Sequence, residues 1–317
     1  MPSLLLNLDI IIIIIIIIIV ILVLTGFVSL CERRILALVQ IRIGPSLFLF
    51  GLFTPITDGI KLFLKFIIFV ISFEILYLIG AILITACCIF LSWFYLPIGF
   101  IILLDSGFTL TILMCVHIIS NMFSIFFVGC FLFSSCFVYL SAMRTMFFCI
   151  ISESGIFLLY TTIYSLDYFS FFGIKDICIG QLYIMNFYIT SIIFISLFWI
   201  SMLLDGLKLP FDYMECESEL VAGLITELSG FFFIIYSVIE INHVLIATLL
   251  FSSLCFGGLF ICIKSLIILV FGFFYPRVIG YRLKITTAQA FILIFLFYMC
   301  ALIFTWLFLT KIITLLY

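Results

Sequence analysis

Five carboxylates, Asp205, Asp212, Glu215, Glu217 and Glu219, fall within the stretch DGLKLPFDYMECESE at 205–219, flanked by apolar runs and opposed by a single base, Lys208. A chain that is 68% hydrophobic and 9% charged has few charges to place, and a carboxylate near a bilayer is costly unless it is hydrated or paired. The cluster is therefore either a solvated loop that docks a partner or a site that handles protons, and residue type alone favours neither. Glu215, Glu217 and Glu219 alternate at period two, which suits an extended segment or a helix start better than one helical face. Glu219 stands where the next apolar run begins, so its charge would meet the positive end of a helix dipole.

Three more acids interrupt apolar runs. Glu227 and Glu240 share one run, thirteen residues apart, or about 20 Å along a helix axis, which makes them successive stations and not a pair. Glu153 follows Arg144 by nine residues, so the two lie on opposite sides of a helix. Buried carboxylates are suited to exchanging protons; the plain alternative is burial at a subunit interface against a cation. Histidine and cysteine point away from metal chemistry. The twelve Cys contain no C-x-x-C, and neither His117 nor His243 has a His or Cys at ligand spacing. Neither a metal nor an iron–sulfur site is expected, and each histidine reads as a buried, hydrogen-bonded one.

These residues need a membrane to hold them. With 42 Phe among 317 residues and several apolar runs of eighteen or more, the chain is expected to be an all-α polytopic membrane protein, since no segment alternates as a barrel strand would. Eight spans fit, at about 10–31, 67–95, 106–128, 136–163, 182–204, 219–241, 247–272 and 288–312. The first run is read as a span and not a signal peptide, because no base precedes Glu32 and no small-residue cleavage pattern follows. Lys and Arg concentrate in the segments 32–66, 205–218 and 273–287, which assigns those loops to the positive-inside face and both termini to the other side. Within the first loop, Asp58, Lys61 and Lys65 share one helical face and Ile56, Ile60 and Phe63 another, predicting a short helix along the inner surface. A net charge of −2 gives no hint of nucleic acid. Enrichment in Ile, Phe, Leu and Tyr suggests an A/T-rich, organelle-encoded gene.

Three motifs carry a family resemblance. Cys31-Glu32-Arg33-Arg34, Gln40-Ile41-Arg42-Ile43-Gly44-Pro45 and Pro55-Ile56-Thr57-Asp58-Gly59-Ile60-Lys61-Leu62 form the first; Pro210-Phe211-Asp212-Tyr213-Met214-Glu215-Cys216-Glu217-Ser218-Glu219-Leu220-Val221-Ala222-Gly223 the second; Tyr275-Pro276-Arg277 a weaker third. In order and spacing they resemble the heel subunit family, subunit 1, of respiratory complex I. The resemblance implies a membrane subunit of a proton-translocating NADH:ubiquinone reductase in the mitochondrial inner membrane. It would work beside other membrane-arm and hydrophilic-arm subunits, with lipid around it and ubiquinone as substrate. It implies no cofactor on this chain, and NADH, FMN and iron–sulfur clusters in partner subunits.

A long-tailed quinone needs an apolar channel for its tail and a few polar groups for its head, and its reduced, partly anionic forms favour nearby cations. By resemblance the quinone channel takes Arg33, Arg34, Arg42, Asp58, Lys61, Phe211, Asp212 and Arg277, and the proton route takes Glu153, Asp205, Glu215, Glu217, Glu219, Glu227 and Glu240 with Arg144. Positive-inside topology is the rival account of the bases, and Asp58 and Lys61 at i and i+3 are spaced to pair on a helix surface. The chain departs from the family pattern at Phe66, where an acid is usual, and at Asp205 and Lys208, where Glu and Arg are usual. It departs again at Phe148 for Gln, and at Ile279 and Tyr281 for Arg and Asp. Lys208 lacks the planar fork of an arginine. Three rival functions stand beside this one: a homologous subunit of a hydrogenase- or ferredoxin-linked ion pump, an independent ion or solute transporter, and a structural anchor.

Overall fold

The computed structural model describes residues 2–46, 51–65, 75–96, 112–113, 115–121, 136–165, 188–212, 223, 228, 230–256, 260–292, 294, 298, 301–302 and 305. All regular structure among them is helical. The elements are α1 (Pro2–Val39), α2 (Thr54–Phe63), α3 (Ile75–Tyr95), α4 (Cys136–Ser165), α5 (Tyr188–Asp205), α6 (Gly230–Phe256), α7 (Ile261–Ile267), a π-helical stretch (Ile268–Phe274), α8 (Tyr275–Ile279) and α9 (Ile285–Ile292). A short helical segment covers 115–121. Four helical stretches among the described residues, Ile15–Val39, Cys136–Ile156, Gly230–Ser253 and Ile261–Ile279, are long and apolar enough to cross a membrane. The protein is thus an all-α, multi-span membrane protein.

Several boundaries differ from the sequence expectation, among them the expected span 247–272, across which α6 ends at Phe256 and a second helical run, Ile261–Ile279, continues into the expected loop 273–287. Helix α1 runs past residue 31 to Val39, so Glu32, Arg33 and Arg34 continue a helix that, at 38 residues, reaches about 57 Å and outruns the hydrocarbon thickness. Helix α6 runs unbroken through 242–246, where a loop was expected between the sixth and seventh spans. The Asn242 amide donates to the Val238 carbonyl one turn back, so the helix absorbs the polar side chain.

The chain forms two compact units, one of residues 1–68 and 229–242, the other of 69–228 and 243–317. In the first, α1 packs on α2, with Gly26 against the Pro55 ring and Phe63 against Phe231 at 5.4 Å between centroids. Helix α2 begins with Pro55 in its first turn, buries none of its residues, and holds Ile56, Ile60 and Phe63 exposed on one face with Lys61 on another. That is the expected surface helix, amphipathic and short.

In the second unit α4 and α5 make the main packing contact. Phe198 of α5 stacks on Phe251 of α6 at 5.2 Å and 6°. The hydroxyls of Ser141, Thr145, Ser152, Ser201, Thr248, Ser252 and Ser253 all donate to carbonyls three or four residues back in their own helices, which meets the membrane requirement that polar groups be satisfied internally. The indole of Trp199 donates to the Gly272 carbonyl at 2.8 Å, tying α5 to the π-helical stretch.

Immediately after α5, Gly206 lies so close to the ring of buried Phe273 that a Cβ there would run into it. Gly206→Ala is predicted to destabilise the subunit by ~1–3 kcal/mol through overpacking. The yield and melting temperature of the assembled complex measure this, and a smaller side chain in Phe273→Leu should restore part of the loss. An unchanged melting temperature in the Ala variant would remove this contact from the account.

Candidate functional site

The expected quinone-channel residues divide between the two units. In the first, the extended end of α1 presents Arg33 and Arg34 and the turn after it presents Arg42. The turn is made by backbone, with the Arg42 N–H donating to the Ala37 carbonyl at 3.0 Å, and Gly44 folds back against the Arg34 stem. Arg33 Nη1 donates to Asp58 Oδ2 of α2 at 2.7 Å, with both side chains about half exposed. Asp58 thus bridges to α1, and the i, i+3 pairing with Lys61 along its own helix is not formed. Lys61 and Lys65 instead border an open depression of about 470 Å³ shared with Thr57, Ile60 and Leu64. Being solvated, the Arg33–Asp58 pair contributes ~0–1 kcal/mol to stability, so its placement between α1 and α2 needs a reason other than stability.

In the second unit Phe211 is buried and Asp212 half-buried just beyond α5. This segment is pinned to the chain beyond α8: the Leu283 N–H donates to the Pro210 carbonyl at 3.3 Å, and Gly280 approaches the Pro210 ring. Arg277 stands on α8, half-buried.

The proton-route residues converge more tightly. Glu153 of α4 and Asp205 at the end of α5 are 3% and 2% exposed. One ring nitrogen of His117, an oxygen of Glu153 and an oxygen of Asp205 all lie within 4.8 Å of one another. Asn121, one helical turn after His117, donates from Nδ2 to Glu153 Oε1 at 2.9 Å. Ser152 neighbours the Asp205 carboxylate while its hydroxyl donates to the Cys149 carbonyl. Glu153 Oε2, both Asp205 oxygens and all four ring nitrogens of His117 and His243 have no hydrogen-bond partner among the described residues. The two imidazoles meet edge to face at 5.1 Å and 61°. Two ionised carboxylates at this separation repel by on the order of 3 kcal/mol even at an effective dielectric of ~20, so the site calls for positive charge, and protons are the simplest supply.

Helix pairing explains the convergence. Packing of α4 on α5 brings together acids that are distant in sequence, and the 115–121 segment inserts its imidazole beside them. The sequence reading missed His117 and His243, which it took for satisfied buried histidines. The 52 positions of chain from Glu153 to Asp205 and the remoteness of both histidines hid the cluster; no local spacing announces it. Arg144 lies on α4 and Glu240 on the part of α6 that belongs to the first unit. Glu215, Glu217, Glu219 and Glu227 lie outside the described residues.

Comparison with known proteins bears on this site. The NADH dehydrogenase family model matches residues 11–312. The chain is 82% identical over 313 residues to NADH-ubiquinone oxidoreductase chain 1 of Leishmania tarentolae, covering 99% of this chain and 100% of the relative. It is 29% identical over 238 residues to NADH-ubiquinone oxidoreductase chain 1 of Chondrus crispus, covering 74% of this chain and 72% of that relative. Its fold is similar to a chain in the structure of the membrane-bound sulfane sulfur reductase, an archaeal respiratory membrane complex, with a TM-score of 0.79 over 93% of this chain and 98% of that one. At 19% identity that likeness is one of fold. The match along almost the full length, together with the 82% identical chain 1, makes this protein a member of the NADH dehydrogenase family, a membrane subunit of NADH:ubiquinone oxidoreductase.

Proposed function

We propose that this subunit forms the membrane end of the quinone channel and the first acidic segment of the proton route of its complex, in the mitochondrial inner membrane with both termini on the intermembrane-space side. The observation that carries the reading is the buried pair Glu153 and Asp205, which bring a carboxylate oxygen each within 4.8 Å of one another and of a His117 ring nitrogen. A purely structural anchor has no use for two desolvated acids. An independent transporter would not share a family with a redox-complex subunit over nearly its whole length.

In this reading electrons reach ubiquinone from an iron–sulfur cluster in a partner subunit, downstream of NADH and FMN held elsewhere in the complex. This chain contributes cations for the quinone head, from Arg33, Arg34, Arg42, Lys61 and Arg277, with Asp58 holding Arg33 in place. Phe211 contacts the head or tail, and Asp212 begins the acidic wall. Charge change at the head then biases protonation along Asp212, Glu215, Glu217, Glu219 and Glu227 toward Asp205, Glu153 and Glu240, with Arg144 as the cation of α4. Asp205 acts through its own carboxylate and so does not require the glutamate usual at its position.

Glu153→Gln keeps size and the hydrogen bond from Asn121 but cannot carry a proton. In the assembled complex it is expected to lower quinone-coupled turnover at least tenfold, a barrier rise of at least ~1.4 kcal/mol, with NADH-to-ferricyanide activity unchanged. Full coupled turnover and pumping in that variant would remove Glu153 from the route. Arg33→Leu breaks an exposed pair and should leave assembly intact, because such a pair contributes so little. It should raise the KM for a short-chain quinone about tenfold, equivalent to about 1.4 kcal/mol of binding; a wild-type KM would return Arg33 to a topological role.

A further inference from the structure

The acids of the route were visible as acids; the imidazole between two of them was not. His117 is 1% exposed, and neither of its ring nitrogens has a hydrogen-bond partner among the described residues. One of those nitrogens lies within 4.8 Å of both the Asp205 and the Glu153 carboxylate oxygens. No direct hydrogen bond joins the three, yet a single bridging water or a small rotamer change spans such a gap. We propose that His117 is a proton-carrying member of this station, taking a proton from one carboxylic acid and handing it to the other carboxylate.

This inference rests on the reading of Glu153 and Asp205 as parts of the proton route. Its chemistry balances without any further reactant. Asp205 as the acid releases a proton to a ring nitrogen of neutral His117, leaving a carboxylate; the imidazolium so formed stands beside two carboxylates; the same nitrogen then gives the proton to Glu153, and the ring is neutral again. The reverse sequence moves a proton the other way. Histidine suits the task because an unperturbed imidazole can both take up and release a proton near neutral pH. It also reaches between two helices whose acids are not hydrogen-bonded to each other.

The other groups around the ring set how the relay works. On α4, Glu153 faces it, with Cys149 beside the two acids and Ser152 beside Asp205; on α5 the facing group is Asp205 itself. From its own segment Asn121 occupies Glu153 Oε1, which leaves Glu153 Oε2 as the oxygen open to exchange. From α6, His243 meets the ring edge-on at 5.1 Å and is 3% exposed. Two imidazolium rings that close would repel strongly, so His243 confines the pair to one added proton and makes the relay single-file. His243 is a positioning residue in this account.

The test uses the assembled complex in liposomes and compares His117→Asn and Glu153→Gln with wild type. The readouts are quinone-coupled turnover, proton uptake and NADH-to-ferricyanide activity from pH 6 to 9. The expected result for His117→Asn is normal ferricyanide activity, coupled turnover and pumping lowered at least tenfold, and a changed pH profile of the coupled rate. If Glu153→Gln is impaired while His117→Asn keeps wild-type rates within twofold and an unchanged pH profile, the histidine inference is overturned and the route stands. If both variants pump normally, the route itself falls and the inference with it. Where His117→Asn does not assemble, His117→Gln replaces it, and failure of both to assemble would assign His117 to packing and overturn its proton role. Retention of pumping in His117→Gln, a side chain that fills the space but does not titrate, overturns it equally.

Discussion

Removing carboxylates from water is the constraint on which the second unit is built. Hydroxyls inside its helices solve the same problem locally, each bonding back to its own backbone. A carboxylate or an imidazole has more hydrogen-bonding capacity than a helix backbone offers, so it needs partners from other helices. Glu153 has one in Asn121, and Asp205 and the histidines have each other within reach. The packing of α4 on α5, the insertion of 115–121 and the edge-to-face rings are therefore one arrangement viewed from several residues. An unpaired group in such a place is expensive, and that expense is hard to rationalise unless the group moves a proton.

The first unit handles charge in the opposite way. Arg33 and Asp58 meet in solvent at a helix end, where ion pairing adds little to stability and much to geometry. The length of α1 puts them there: its apolar part, Ile15 to Val39, presents Ile15, Ile16, Ile19, Val20, Leu22 and Val23 outward, as a helix bathed in lipid or covered by neighbours does. Its last turns carry the bases Arg33 and Arg34, and α2 lies against it with its own apolar face turned outward.

Much of this was legible in sequence because apolar length and charge placement are local quantities. Runs of Ile, Phe and Leu announced helices, and the amphipathic spacing of 54–63 announced α2. Polar residues misled where helices absorb them: Glu32 and Arg33 looked like a loop but extend α1, and the span expected to end at 241 runs on through Asn242, which bonds within α6. The site was legible in part. Glu153 stood out as an acid in an apolar run and Asp205 as the first of the acid-rich loop 205–219, whereas their convergence depends on which helices pack together, and a single sequence carries no such pairing information. His117 and His243 were invisible for the same reason, since an imidazole in an apolar run reads as a core residue until its neighbours are known.

The close approach of Gly206 to Phe273 has a consequence for how this protein can change over time. Asp205 owes its position to the residue after it, and that residue has no side chain because an aromatic ring fills the space. The two positions are far apart in the chain yet compete for one volume. A lineage that enlarges residue 206 must first shrink residue 273, and one that does neither inherits its acid in a fixed place. Drift at these two sites should therefore be correlated, whether or not the acid beside them is Asp.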